Sequence, residues 1–127
     1  MVPLRWRDLD HQGHVYHATL LTLLDEARTQ WISKTLGSET PDSYVLARIE
    51  LDYRAELRKD DDAVAVTFGV QRVGNTSLTL TEVVRSWATG SLIADATTTI
   101  VLWDRAARSS RPLTADERRR AAESAGL

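Results

Sequence analysis

The residues best suited to chemistry lie close together near the start of the chain. Asp8, Asp10, His11, His14 and His17 fall within ten positions of the stretch Leu4-Arg5-Trp6-Arg7-Asp8-Leu9-Asp10-His11-Gln12-Gly13-His14-Val15-Tyr16-His17. A long helical pattern begins just after it. The first turn of a helix carries N–H groups without internal partners and a partial positive charge. A carboxylate beside those donors can act on a carbonyl that the donors polarise. The plain alternative for Asp10 is a cap on the turn or the helix. For Asp8 the stronger reading is an ion pair with Arg5, Arg7 or Arg28. The three histidines are spaced three apart, so zinc is weighed as well. Gly13 argues against one helix running through all three, and the expectation is no metal. Trp31, at helical spacing, reads as core. Glu26 reads as a tie from the helix to a strand or a partner subunit through an arginine. Arg118-Arg119-Arg120 reads as a solvated helix face. There is no Gly-rich phosphate loop and no serine in a nucleophile elbow.

The elements that must hold these groups can be read from periodicity. Residues 18–36 contain no Gly or Pro, and Leu20, Leu23, Leu24, Ala27 and Trp31 recur at helical steps, with Leu21 and Ile32 widening the stripe. So broad an apolar face predicts a helix packed deeply against a sheet, with Gly37 as its stop. From Ala47 the period becomes two. Ala47, Ile49, Leu51, Tyr53, Ala55 and Leu57 alternate with charged residues, which predicts a strand with one buried face. Asp60-Asp61-Asp62 marks a turn. Val64, Val66, Phe68 and Val70 alternate next. After Gly74-Asn75, Leu78 and Leu80 alternate with Thr79 and Thr81. Thr89-Gly90 precedes a last strand over Ser91–Trp103. Four strands at this spacing predict an antiparallel meander. A short strand over Val2–Arg7 and a terminal helix over Ala115–Ala122 complete the pattern. One helix cannot cover both faces of such a sheet, so the sheet is expected to extend or stack in an oligomer.

Composition narrows the function. The 127 residues carry 16 Lys+Arg against 18 Asp+Glu, leaving no excess of positive charge for a nucleic-acid backbone. The absence of cysteine excludes disulfides, thiolate nucleophiles and Cys-based zinc sites. No apolar run approaches the length of a membrane span, and charged residues occupy the place of a signal peptide. The expectation is one cytoplasmic domain over 1–127, with neither membrane insertion nor nucleic-acid binding.

The block Asp-x-Asp-x-x-Gly-His-Val-Tyr-His followed by Leu-Leu-Asp-Glu-Ala-Arg resembles the 4-hydroxybenzoyl-CoA thioesterase family of hot-dog-fold acyl-CoA thioesterases. The Val-Tyr-His run is most similar to the short-chain branch found with the bacterial Tol–Pal system. The likeness extends through the Thr-Ser before a later strand to the closing Arg-Pro-Leu-Thr-Ala-Asp-Glu. It implies an α+β hot-dog fold, a five-stranded antiparallel sheet wrapped around one long central helix. It also implies a homodimer with active sites at the interface, or a homotetramer built from such dimers.

By this resemblance Asp10 is the catalytic carboxylate, attacking the thioester or activating water. The peptide N–H at His17 polarises the carbonyl, and the His17 side chain lines the site. Gly13 lets the backbone approach the substrate closely, with Val15 and Tyr16 beside it. The family prototype places a basic cluster before the third long strand to bind the nucleotide phosphates. Here that stretch is Gly74-Asn75-Thr76-Ser77, with only Arg72 nearby. Arg58, Lys59, Arg72, Thr76 and Ser77 are the candidates for holding coenzyme A. No cofactor is implied, since coenzyme A is part of the substrate. The competing reading is a non-catalytic hot-dog module that binds acyl-CoA or acyl carrier protein. A hot-dog dehydratase is a third class, which the motif fits less well.

Overall fold

The computed structural model describes residues 1–4, 17–37, 44–58 and 61–124, with the backbone alone for His17 and Ala18. In chain order the elements are β1 (Val2–Pro3), α1 (His17–Leu36), β2 (Tyr44–Tyr53), β3 (Ala63–Val73), β4 (Ser77–Ser86), β5 (Leu92–Asp104), β6 (Ser109–Ser110) and α2 (Ala115–Glu123). Five strands form an antiparallel sheet in the order β1-β3-β4-β5-β2, and the two-residue β6 adds to β5. This is the curled sheet and helix of a hot-dog fold.

The meander holds only for β3, β4 and β5. β2 does not pair with β3; it crosses to the far side of the sheet and pairs with β5, Tyr44 opposite Leu102 and Tyr53 opposite Ala94. The connection between β2 and β3 is too long for a hairpin turn, and Asp61 and Asp62 only lead into β3. β2 is also shorter than its sequence alternation predicts. It stops at Tyr53, where the N–H groups of Arg54 and Ala55 both donate to the Ile93 carbonyl at 2.7 and 3.1 Å. As an end strand it is poorly covered. Ile49 and Leu51 are half-buried, while Ala47, Tyr53 and Ala55 are exposed.

α1 follows its sequence pattern closely. Leu20, Leu23, Leu24, Ala27, Ile32 and Leu36 are buried against the sheet. Leu21 falls outside that stripe and is 42% exposed. The helix ends where Gly37 takes a φ of +74°, a conformation that favours glycine, with its N–H donating to Ser33 O at 3.1 Å.

The inner face of the sheet supplies the rest of the core. Val64, Phe68 and Val70 of β3, Leu78, Leu80 and Val84 of β4, and Ile100 and Leu102 of β5 are all buried. Trp31 stacks on Phe68 with ring centroids 5.4 Å apart, as a half-buried extension of this core. α2 is held by a reciprocal cap: Thr114 Oγ1 accepts from Glu117 N at 3.1 Å, and Glu117 Oε1 accepts from Thr114 N at 2.8 Å. Arg111 clamps the same carboxylate with two hydrogen bonds of 2.7 and 2.8 Å. The closing Arg-Pro-Leu-Thr-Ala-Asp-Glu segment is therefore a helix-starting device.

Candidate functional site

The sequence places its chemistry at the start of α1, and α1 does begin there, with His17 as its first residue. Asp8, Asp10, His11, Gly13, His14, Val15, Tyr16 and Lys59 lie outside the described residues, as does the side chain of His17. No residue in the first turn of α1 is acidic, so none on the helix itself competes for the positive end of the dipole.

The other candidates are spread out. Arg58 is exposed; its N–H donates to Asp61 Oδ2 at 2.8 Å, and its guanidinium donates to Glu56 at 3.2 Å. Arg72 is near the opposite end of β3, roughly 30 Å away at the rise of a strand. It is exposed and has no ion-pair partner among the described residues. Thr76 and Ser77 form the β3–β4 turn, where their carbonyls accept from Leu102 N and Gly74 N, each at 2.8 Å. This turn sits against α2 and the segment before it: Arg118 Nη2 of α2 donates to Asn75 O at 3.4 Å, and Leu113 N, just ahead of the helix, donates to the same carbonyl at 3.0 Å. The Arg120 guanidinium of α2 lies beside Gly37, so the C-terminal end of α1 also reaches α2. The Thr76–Ser77 turn thus lies toward the far end of a helix about 30 Å long. Within one chain these candidates do not converge on one place.

The structure adds a buried polar network that sequence reasoning missed. Arg28 of α1 donates from Nε and Nη2 to the two carboxylate oxygens of Glu82 in β4, at 2.8 and 2.9 Å. Arg28 is 1% exposed and Glu82 is fully buried. Burial disfavours the Arg28 charge, but the hydrogen bond and charge of Glu82 outweigh it and raise its pKa above the usual value. Asp25 approaches Arg28 Nη1 at 3.4 Å. Asp25 also accepts from the Tyr44 hydroxyl at 3.4 Å, and that hydroxyl lies 2.8 Å from Thr29 Oγ1. Burial pushes the Tyr44 phenol up. The signal for Glu82 was its phase, since it alternates in step with Leu78, Leu80 and Val84 on the inner face. Arg28 thus makes a helix-to-sheet ion pair, its guanidinium engaged by Glu82 and Asp25. Among the described residues, no group of three or more His, Asp or Glu converges as a metal site.

The curled sheet, its single long helix and the acidic-and-histidine segment leading into that helix define a class. The chain belongs to the thioesterase-like superfamily, whose family model matches residues 4–123. Among solved structures, a thioesterase from Thermus thermophilus, complexed with coenzyme A and zinc, is 28% identical with a TM-score of 0.81, over 99% of this chain and 92% of that one. A probable thioesterase from Escherichia coli is 26% identical with a TM-score of 0.69, over 97% and 95%. A predicted thioesterase from Bacillus stearothermophilus, 23% identical over 98% and 92%, shares the fold with a TM-score of 0.82. No match was found among functionally curated proteins.

Proposed function

We propose that this protein hydrolyses an acyl-CoA thioester to the free acid and coenzyme A. The observation that carries this reading is the family match over residues 4–123 together with a helix that starts at His17, directly after the Asp-x-Asp-x-x-Gly-His motif. The thioester carbonyl docks at the start of α1, where the N–H of His17 and the helix dipole stabilise the developing oxyanion. Asp10 either takes a proton from water, whose oxygen attacks the carbonyl carbon, or attacks directly to form an anhydride that water opens. In both routes the C–S bond breaks and the departing sulfur leaves as the coenzyme A thiol. A thioester is activated enough for one carboxylate and one polarising dipole, so no metal or cofactor takes part. An acyl-CoA substrate puts the reaction in the cytoplasm.

The protein acts as a dimer, or as a tetramer built from two dimers. β2 supports this: it ends the sheet, runs for ten residues and leaves one edge without a strand partner among the described residues. Val45 and Leu46 on it are 39% and 45% exposed. A long apolar edge of this kind invites pairing with a second copy.

The second reading is a module that binds acyl-CoA or acyl carrier protein without hydrolysis. The Gly74-Asn75-Thr76-Ser77 turn favours it, since it carries no basic side chain. Thiol release from a panel of acyl-CoAs decides between them. The wild type is expected to release coenzyme A, and Asp10→Asn to lose about 10²–10⁴-fold in rate. Binding by the wild type with no more thiol release than the variant would overturn the hydrolase reading.

A further inference from the structure

The face of the sheet turned away from α1 carries a row of four side chains from four strands. Arg48 of β2 stands opposite Thr99 of β5, Thr99 opposite Thr79 of β4, and Thr79 opposite Arg72 of β3. Two independent β-bulges create this row. The register of β2 shifts between Leu46 and Arg48, and that of β3 shifts between Val70 and Arg72. In a bulge two residues oppose one. With unbroken registers, Ala47 and Gln71 would take the two outer places. Each bulge therefore delivers an arginine to the same row, one at either end.

The row borders a cleft of about 500 Å³, within the size range of small-ligand sites. The next row along the strands runs Glu50, Thr97, Thr81 and Gly69. Gly69 keeps that end of the cleft low: a Cβ there would come within 2.9 Å of Thr81 Oγ1. Arg48 is paired with Glu50, whereas Arg72 has no ion-pair partner among the described residues. The floor between them offers threonine hydroxyls, and the rim holds two guanidiniums against one carboxylate. The arginine Cα atoms stand roughly 14 Å apart across three strand spacings. Two arginine side chains that rise from the sheet and lean inward can bring their forks to a single phosphate or diphosphate group between them. Guanidinium forks bind phosphate oxygens in pairs, and hydroxyls can donate to the oxygens that remain.

We propose that this cleft is a binding site for a phosphomonoester or diphosphate group, held between Arg72 and Arg48 over Thr79 and Thr99. The site is assigned independently of the hydrolase reading, because its test is binding and not turnover.

The test uses the full chain and inorganic pyrophosphate as the probe. Calorimetric titration is expected to give saturable binding with one site per chain. Amide NMR shifts should map to residues 48, 72, 79 and 99. Arg72→Gln should weaken binding by about tenfold or more, and Thr99→Val by a few-fold. Arg119→Gln, which removes an equal charge from α2, should leave binding unchanged. A parallel titration with adenosine 3′,5′-bisphosphate, and competition of pyrophosphate by free coenzyme A, identifies the source. Competition assigns the phosphate to coenzyme A, and its absence assigns it to a separate phosphorylated ligand. The proposal is overturned if pyrophosphate does not saturate at millimolar concentration. It is equally overturned if Arg72→Gln binds like the wild type, or if the shifts map elsewhere.

Discussion

Arg28 and Glu82, 54 residues apart in sequence, meet between helix and sheet through a two-pronged ion pair, with donor–acceptor distances of 2.8 and 2.9 Å. Both are buried, so each is there only because the other is. Removing one partner leaves an uncompensated charge, at a cost of about 3–5 kcal/mol. Glu82→Leu and Arg28→Met are each expected to destabilise by that amount in denaturant titration. The double variant should recover most of the loss, since two apolar side chains of similar volume fill the space without desolvating a charge. A double variant as unstable as the sum of the two singles would contradict this account.

Glu117 gives a pH dependence of known sign. The hydrogen bonds from Arg111, with help from Thr114, hold its carboxyl below the usual value of 4.5. Because the folded value is lowered, the stabilisation is fully present above the unfolded value and is lost as pH falls through the folded one. Thermal melting from about pH 6 to about pH 3 should show the wild type losing more stability than Glu117→Gln. Near neutral pH the same variant should be less stable by about 1–3 kcal/mol, because it loses the charged clamp and weakens the cap.

Thr98 is fully buried on β5, and its hydroxyl has no hydrogen-bond partner among the described residues. Such a hydroxyl has given up water without compensation. Thr98→Val keeps the shape and removes the polar atom, so it should stabilise the fold by about 1 kcal/mol in denaturant titration. A loss of stability on this substitution would mean that the hydroxyl is satisfied after all.

Leu46→Lys tests the exposed edge of β2. A buried charge at an interface is expensive, and edge lysines are a recognised guard against strand pairing. The wild type is expected to sediment at twice the mass of one chain or more, and the variant as a single chain. If thioester cleavage needs two chains, thiol release should fall with the loss of the dimer.

Much of the fold could be read from periodicity alone, and the reasons are local. α1 has an unbroken run without Gly or Pro and a positive-φ glycine at its end, so its limits of His17–Leu36 match the expected 18–36 almost to the residue. Strands β4 and β5 alternate cleanly because both neighbours of each are in place, whereas β3 is paired by β1 only at Ala63 and Val64 and its period breaks at the bulge before Arg72. β2 deceived the alternation rule, since charged and apolar residues alternate in Arg48–Leu51 whether or not the inner face is well covered. Its partner could not be read either, because pairing with β5 is set by the whole sheet and not by the residues of β2. At the candidate site the motif was legible but not its surroundings. Glu82 was passed over because a lone carboxylate in an apolar phase means nothing until the arginine facing it is known. The two arginines of the outer cleft were invisible for a related reason, as bulges break the period that sequence reading depends on.

The crossing of β2 to the far side of the sheet also bears on how the protein is made. Tyr44 pairs with Leu102, which the ribosome adds 58 residues later. At translation speeds of about 5–20 residues per second, β2 waits for seconds as an unmatched ribbon in the nascent chain. Any product halted before β5 is complete leaves that ribbon orphaned, a target for quality control and a seed for aggregates.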